Sequence, residues 1–401
     1  MTNAAVKPAS RTQVPIAPIL SAASFRRAGS GSVRVRTVLD AGAAKLVTSG
    51  RIAIGLALRE IGAGPGDTVL VPAYHSQSMV PPVLWTGARP VFYRLRPDTA
   101  IDLDDLASRI DASTRAVMVT HYFGFPQELK ALRALCDARG VALLEDCAHC
   151  FIGENNGLPV GAMGDYAIAS SMKFFPIYEG GALVSARHSL QGVGLRSAGP
   201  GFEAKVALTS LENSFAWRRL GGVRAALWLP LKLKDALWAA LKKRSARPAA
   251  SAALAPSSSD SSFSFDPAWL DKRSSLFART LLALVPATRI MALRQRHYRQ
   301  LEAALRGLPG LRPLYPSLPD TVCPWVFPLL ADDPEPLFAR LKAAGVPVVR
   351  FGWPLWPGVD ESVCPASAEL SRRVLAFPCH QELRPAELDW MTGAIRAAAA
   401  P

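Results

Sequence analysis

Between Gly50 and Asp146, short apolar runs alternate with segments of helical length, and no other feature constrains the fold as much. Thr68 to Val71, Pro90 to Tyr93, Ala116 to Thr120 and Ala142 to Glu145 read as strands. Arg51 to Ile61, Ser78 to Trp85, Leu103 to Ile110 and Glu128 to Arg139 read as the helices that join them, with a turn signal at Gly64-Pro65-Gly66-Asp67. Repeated strand–helix–strand crossovers build a mostly parallel sheet. Strands this short and apolar are buried on both faces, so helices must cover both sides. The expected class is α/β, a large domain with a mostly parallel mixed sheet sandwiched by helices plus a small C-terminal α/β domain.

The rest of the chain divides around that frame. Residues 1–45 read as an irregular arm. Residues 46–265 form the large domain, with a basic insert at 190–265. Residues 266–401 supply a helix and the small domain. Asp165 to Ser185 holds a strand, a turn with Lys173, and Glu179-Gly180-Gly181 leading into the strand Ala182 to Val184. Ala249 to Ser264 is rich in Ser and Ala and reads as a linker. Helical spacing returns from Pro267 to Leu305. Val322 to Leu330 and Val348 to Arg350 read as strands, and Pro336 to Ala344 and Pro385 to Ala399 as helices.

Composition excludes several classes. Half the residues are hydrophobic, enough for a large core. No apolar stretch reaches the roughly 18 residues of a membrane span; Ala225 to Leu241 is broken by Pro230, Lys232, Lys234 and Asp235. Val14 to Leu20 is short and carries Pro15 and Pro18, so no signal peptide is expected. Six cysteines are ordinary intracellular usage, and a cytoplasmic protein is expected. The net charge of +14 is concentrated: Trp217 to Arg247 holds nine Lys/Arg against Asp235 alone. No zinc-finger or RNA-binding signature accompanies it, so no nucleic-acid partner is expected. Leucines and Trp228 and Trp238 interleave with those lysines, which makes 217–248 a candidate for peripheral contact with an anionic membrane. The competing reading is a pair of helices packed on the protein with their lysines in water.

Four places could carry chemistry. Glu145-Asp146 ends an apolar strand, where ligands bind in open α/β sheets; a helix-cap acid is the plainer reading. Lys173 lies among apolar residues, and desolvation would make its amine nucleophilic; a lysine snorkelling to water is the plainer alternative. Ser49-Gly50-Arg51 precedes a helix, whose N-terminus suits a phosphate or needs only an N-cap. Cys147 and Cys150 make a CxxC, but no second Cys/His pair follows and no metal site is expected. The order is more specific than its parts: a phosphate-type helix start, strand-end Asp146, Lys173 and then a Gly-Gly turn. Enzymes of the large pyridoxal phosphate (PLP) aminotransferase fold require that order.

The sequence resembles the DegT/DnrJ/StrS family of PLP-dependent sugar aminotransferases, of fold type I. The resemblance runs through Ser49-Gly50-Arg51-Ile52-Ala53, Pro65-Gly66-Asp67, Gly87-Ala88-Arg89-Pro90, His121-Tyr122-Phe123-Gly124 and Glu145-Asp146-Cys147-Ala148-His149. It continues through Gly164-Asp165, Lys173 with Glu179-Gly180-Gly181, and Leu375-Ala376-Phe377-Pro378-Cys379-His380. It implies that Lys173 is the Schiff-base lysine and that Asp146 pairs with the pyridine nitrogen. It places His149 near the cofactor's ring oxygen, and Ser49, Gly50, Arg51 and Ile52 at the phosphate-binding helix start. Ser170, with Ser171 as alternative, matches the phosphate-binding serine. A residue from Tyr74-His75-Ser76 should stack on the ring; Ser76 holds the usual aromatic position but cannot stack, which favours His75 and then Tyr74. Arg51 stands where the family usually has Thr, and the family's Asn-Tyr-Arg segment after the Gly-Gly strand is not visible.

The resemblance further implies a homodimer and transfer of an amino group from an amino acid, glutamate, to a nucleotide-linked keto sugar. Envelope polysaccharide or secondary-metabolite biosynthesis is the expected setting. A PLP enzyme on a non-sugar ketone or acyl substrate, and a non-catalytic binding protein on the same fold, are the alternatives.

Overall fold

The computed structural model describes residues 14–27, 35–228, Lys232 and 265–400. A seven-stranded sheet organises the large domain. Its strands are β1 (Ala43–Val47), β2 (Thr68–Pro72), β3 (Arg89–Tyr93), β4 (Thr114–Thr120), β5 (Ala142–Asp146), β8 (Tyr166–Ala169) and β9 (Gly181–Ser185), in the order β1-β9-β8-β5-β4-β2-β3. The pair β6 (Glu154–Asn155) and β7 (Leu158–Pro159) forms a small ribbon outside it. Strands β3, β2, β4, β5 and β8 pair in parallel, while β9 runs antiparallel to both β8 and β1. Hence β1 runs with the parallel set, and the carboxyl ends of β1, β2, β4, β5 and β8 open on one edge. That edge carries Ser49, Ser76, Thr120, Asp146 and Ser170.

The crossovers are α1 (Gly50–Ile61), α2 (Val80–Trp85), α3 (Leu103–Arg109) and α4 (Lys130–Arg139). Helix α1 starts where the Ser49 hydroxyl accepts the Ile52 N–H and stops at Gly62 in the left-handed region. It is buried along most of its length and packs with β2, β8 and β9 residues in one apolar cluster. A second cluster on the other face joins β4 and α4 residues to Tyr74, Tyr122 and Phe123. Both sheet faces are therefore covered.

Beyond the sheet come α5 (Pro200–Ala216), α6 (Gly221–Ala226), α7 (Leu276–Leu284) and the long α8 (Ala287–Leu305). The small domain is an antiparallel sheet of β10 (Leu311–Pro313), β11 (Val326–Ala331) and β12 (Val374–Pro378), with α9 (Pro334–Ala344), α10 (Pro365–Arg373) and α11 (Pro385–Ala399). Its core draws on α8, β11, β12, α9 and α11.

Four expectations change. The arm gives way to β1 from Ala43, two of whose residues are alanines that carry little strand preference. The basic region conceals α5, seventeen residues long. The strand expected at Val322 to Leu330 begins only at Val326, and Val348 to Arg350 reduces to a bridge between Val349 and Ala376. The linker at Ala249 to Ser264 lies outside the described residues, as does most of 229–248. Among the described residues no single helix is long and apolar enough to cross a membrane.

Candidate active site

A cavity of about 370 Å³ opens at the carboxyl edge of the sheet. The large domain contributes Ser49, Gly50, Arg51, Ser76, Gln77, Asp146, Ala148, His149, Ser170 and Lys173 to its walls. The small domain and α8 contribute Arg294, Trp325 and Phe351 to Trp353; the arm contributes Ile16 to Pro18.

Asp146 is the last residue of β5 and is buried. One carboxylate oxygen accepts the Ala148 N–H at 2.9 Å. Burial pushes its pKa up, against the Ala148 N–H and the charge of Lys173. A buried carboxylate in that state calls for a cationic partner. Lys173 ends a short 3₁₀ turn after β8. Burial lowers its pKa to about 8; Asp146 opposes the shift and Arg51 adds to it. Its ammonium lies 4.7 Å from the centre of the Trp325 ring.

The α1 N-terminus forms the opposite wall. A β-carbon on Gly181 would lie 2.4 Å from the Ser49 carbonyl carbon and 2.7 Å from the Gly50 nitrogen, so only glycine lets β9 pass this close. Ser170 sits near Gly50, with its Cβ 3.7 Å from where a Gly50 β-carbon would stand. Ser171 instead donates its N–H to the Gly180 carbonyl and is not among the cavity-lining residues. Ile52 contributes its N–H to the Ser49 cap and its side chain to the core.

His149 stacks on Trp325 with ring centres 3.8 Å apart. Its Nδ1 accepts the Phe123 N–H at 3.5 Å, and its Nε2 has no protein partner among the described hydrogen bonds. Burial, then the Lys173 charge, holds its pKa well below the usual value, so a neutral ring with its proton on Nε2 faces the cavity.

Tyr74 and His75, expected against a cofactor ring, are not among the cavity-lining residues. Tyr74 is buried against Tyr122 and Phe351. The His75 Nδ1–H donates to the Ala73 carbonyl at 2.9 Å, its Nε2 accepts the Trp356 N–H at 3.3 Å, and its ring stacks on Phe92. These backbone bonds fix His75 in the wall behind the site. Ser76 is the residue of this stretch that lines the cavity.

Three further features escape sequence reasoning. Arg294 of α8 is fully buried and donates to the carbonyls of Lys173 (2.7 Å), Pro324 (3.1 Å) and Trp325 (2.8 Å) and to Gln381 Oε1 (2.9 Å). Trp325 supplies the aromatic surface over Lys173. The arm is tied down where the His380 Nε2–H donates to the Pro15 carbonyl at 2.9 Å. Only the His380 motif hinted at any of these.

His121, Glu145 and Cys147 bring three potential metal ligands together. Hydrogen bonds occupy His121 and Glu145: His121 Nδ1 accepts the Gln127 N–H at 2.9 Å, so its Nε2–H donates to Glu145 at 2.9 Å. Glu145 also accepts the Gly161 and Gly164 N–H groups. The cluster braces the end of β5 beside Asp146.

Residues 34–198 match the model of the DegT/DnrJ/EryC1/StrS aminotransferase family. Over this segment the chain is similar to that family. Among relatives, GDP-perosamine synthase of Vibrio cholerae is 34% identical over 145 residues, 35% of this chain and 40% of that protein. The dTDP-4-dehydro-2,3,6-trideoxy-D-glucose 4-aminotransferase of Saccharopolyspora spinosa is 33% identical over 174 residues, 43% and 45% of the two chains. The chain thus spans less than half the length of these relatives. The likeness in fold extends further: the aminotransferase TlmJ of Streptoalloteichus hindustanus superposes with a TM-score of 0.62 at 21% identity, covering 88% of this chain and 85% of its own. The architecture is that of fold type I aminotransferases.

Proposed function

We propose that the chain is a PLP-dependent aminotransferase that moves an amino group from an amino acid, glutamate, to a nucleotide-linked keto sugar. The observation that carries this reading is the meeting of Lys173 and Asp146 in one cavity, electrostatically coupled, with the α1 N-terminus and Ser170 on its wall. The donor set fits the cofactor. Asp146 is a buried acid suited to a protonated ring nitrogen, and the Ser49–Arg51 helix start and Ser170 offer N–H, hydroxyl and guanidinium donors to a phosphate.

When bound, the cofactor supplies an aldehyde carbon for Lys173 and an electron-withdrawing ring. Asp146 would hold the proton on the ring nitrogen, and the His149 Nε2–H would donate to the ring oxygen. The Lys173 Nζ would act as base at the donor α-carbon and as acid in returning that proton. Its lowered pKa leaves about a tenth of the amine neutral at pH 7, against roughly one part in 10³ for an ordinary lysine. Trp325 and the arm residues Ile16 to Pro18 keep bulk water from that transfer.

A second reading has its own support. Ile16 and Trp353, both on the cavity wall, are 52% and 46% exposed and present apolar surface to an incoming acceptor. That favours an acceptor with an apolar face and keeps a non-sugar ketone in contention. The test is a visible spectrum of purified protein with the cofactor, before and after glutamate, followed by a panel of keto-sugar nucleotides and simple ketones. Bleaching by glutamate with amine transfer to a keto-sugar nucleotide supports the first reading; transfer only to simple ketones supports the second. A spectrum unchanged from that of free cofactor rejects both. The homodimer implied by family resemblance is checked by light scattering.

A further inference from the structure

Within the basic insert, the turn at Arg218 to Leu220 is joined firmly to the body of the protein. Arg219 is buried and donates to both carboxylate oxygens of Glu387 at 2.8 Å and to the Glu382 carbonyl at 3.2 Å. Arg384 donates to the Arg218 carbonyl at 3.0 Å, and Leu220 packs on the core beneath. Arg218 and Leu220 both take left-handed backbone conformations, at φ 54 and 52. The tertiary contacts of Arg219 hold this turn in place.

Beyond the joint, the described residues of α6 do not pack into the body. Helix α6 has no buried residue. Val223 is 40% and Trp228 56% exposed, and the Lys232 ammonium lies 4.6 Å from the Trp228 ring centre. A helix stabilised by its own protein buries an apolar stripe; α6 buries none. The two-helix reading concerns 217–248, most of which lies outside the described residues; α6 itself offers it no buried face. Arg218, Arg224 and Lys232 are exposed on this stretch, and no acid occurs between Trp217 and Lys232.

We propose that α6 with Arg218, Trp228 and Lys232 is a docking face for an anionic phospholipid bilayer. Charge complementarity selects the occupant: Arg218, Arg224 and Lys232 meet phosphate headgroups, while Trp228 and Val223 enter the interfacial layer where tryptophan partitions. The buried Arg219 joint carries the attachment back to α11 and sets the body's orientation on the surface. A nucleic-acid backbone would match the charge but gains less from an exposed Val223.

Co-sedimentation of the full chain with vesicles tests this. Binding is expected to vesicles of phosphatidylglycerol with phosphatidylcholine, with release at high salt and no binding to phosphatidylcholine alone. Arg224→Glu and Lys232→Glu are each expected to weaken it about tenfold, and Trp228→Ser to weaken it further. Thermal melts should be unchanged, because all three side chains are exposed. No sedimentation with anionic vesicles overturns the proposal. So does vesicle binding that Arg224→Glu with Trp228→Ser leaves intact. Loss of a dimer in the same variants would reassign the face to a second copy, and loss of RNA binding with vesicle binding retained would reassign it to nucleic acid.

Discussion

The Arg294 guanidinium of α8 donates to the backbone carbonyl of Lys173 at 2.7 Å, so a residue of the C-terminal region holds the turn that carries the Lys173 amine. The same guanidinium grips the Pro324 and Trp325 carbonyls, which places the indole over that amine. Arg294→Met would take a donor from four acceptors, the carbonyls of Lys173, Pro324 and Trp325 and the Gln381 Oε1. We expect about 3–5 kcal/mol of lost stability, read by urea unfolding. Arg294→Lys should recover little of it, because an ammonium cannot reach the fan of oxygens a planar guanidinium serves. In whatever fraction stays folded, the Lys173 amine should be acylated with a shifted pH midpoint.

Asp146 opposes the fall of the Lys173 pKa, and its removal is expected to push that pKa below about 8. Asp146→Asn in cofactor-free protein should therefore make Lys173 more reactive to acylating reagents at neutral pH, measured by mass spectrometry. The same change should lower amine transfer by about 10²–10⁴-fold, because an amide does not hold a proton on the ring nitrogen. A faster-acylated lysine beside a slower enzyme is a combination that general unfolding does not produce.

The large domain was legible because each crossover repeats the same pattern of short buried strand, turn and helix. Asp146 and Lys173 were legible because their positions follow from strand ends. His75 misled because a histidine beside a strand end suits a wall residue bonded to backbone as well as a ring-stacking one. Arg294 was illegible: it is one of four arginines in α8, and only the packing of α8 against the Lys173 turn sets it apart. Trp325 was hidden for the same reason, since its partners His149 and Lys173 lie more than a hundred residues away.

Lys173 also sets a sign for stability against pH. Its folded pKa of about 8 lies below the unfolded value of 10.5. Between those values the unfolded chain binds a proton that the folded one does not, so this lysine's contribution to stability rises with pH across that window and is flat outside it. Melting curves of cofactor-free protein should show that rise. Lys173→Met should lack it, whatever its effect at pH 7.

Gly181 allows β9 to pass against the first residues of α1, where a β-carbon would meet only backbone atoms of Ser49 and Gly50. Backbone cannot rotate away as a side chain can, so Gly181→Ala must displace the helix start. The expected cost is about 1–3 kcal/mol in stability. The larger effect should fall on the phosphate wall, because its N–H groups act together only from fixed positions. Affinity for pyridoxal phosphate, followed by quenching of tryptophan fluorescence, should drop at least about tenfold, the equivalent of about 1.4 kcal/mol. Gly393→Ala is the control: Gly393 lies within α11 with nothing near its absent β-carbon, and alanine favours a helix, so that variant should bind the cofactor like the parent. Unchanged cofactor affinity in Gly181→Ala would remove the α1 N-terminus from the phosphate site and leave that role to Ser170.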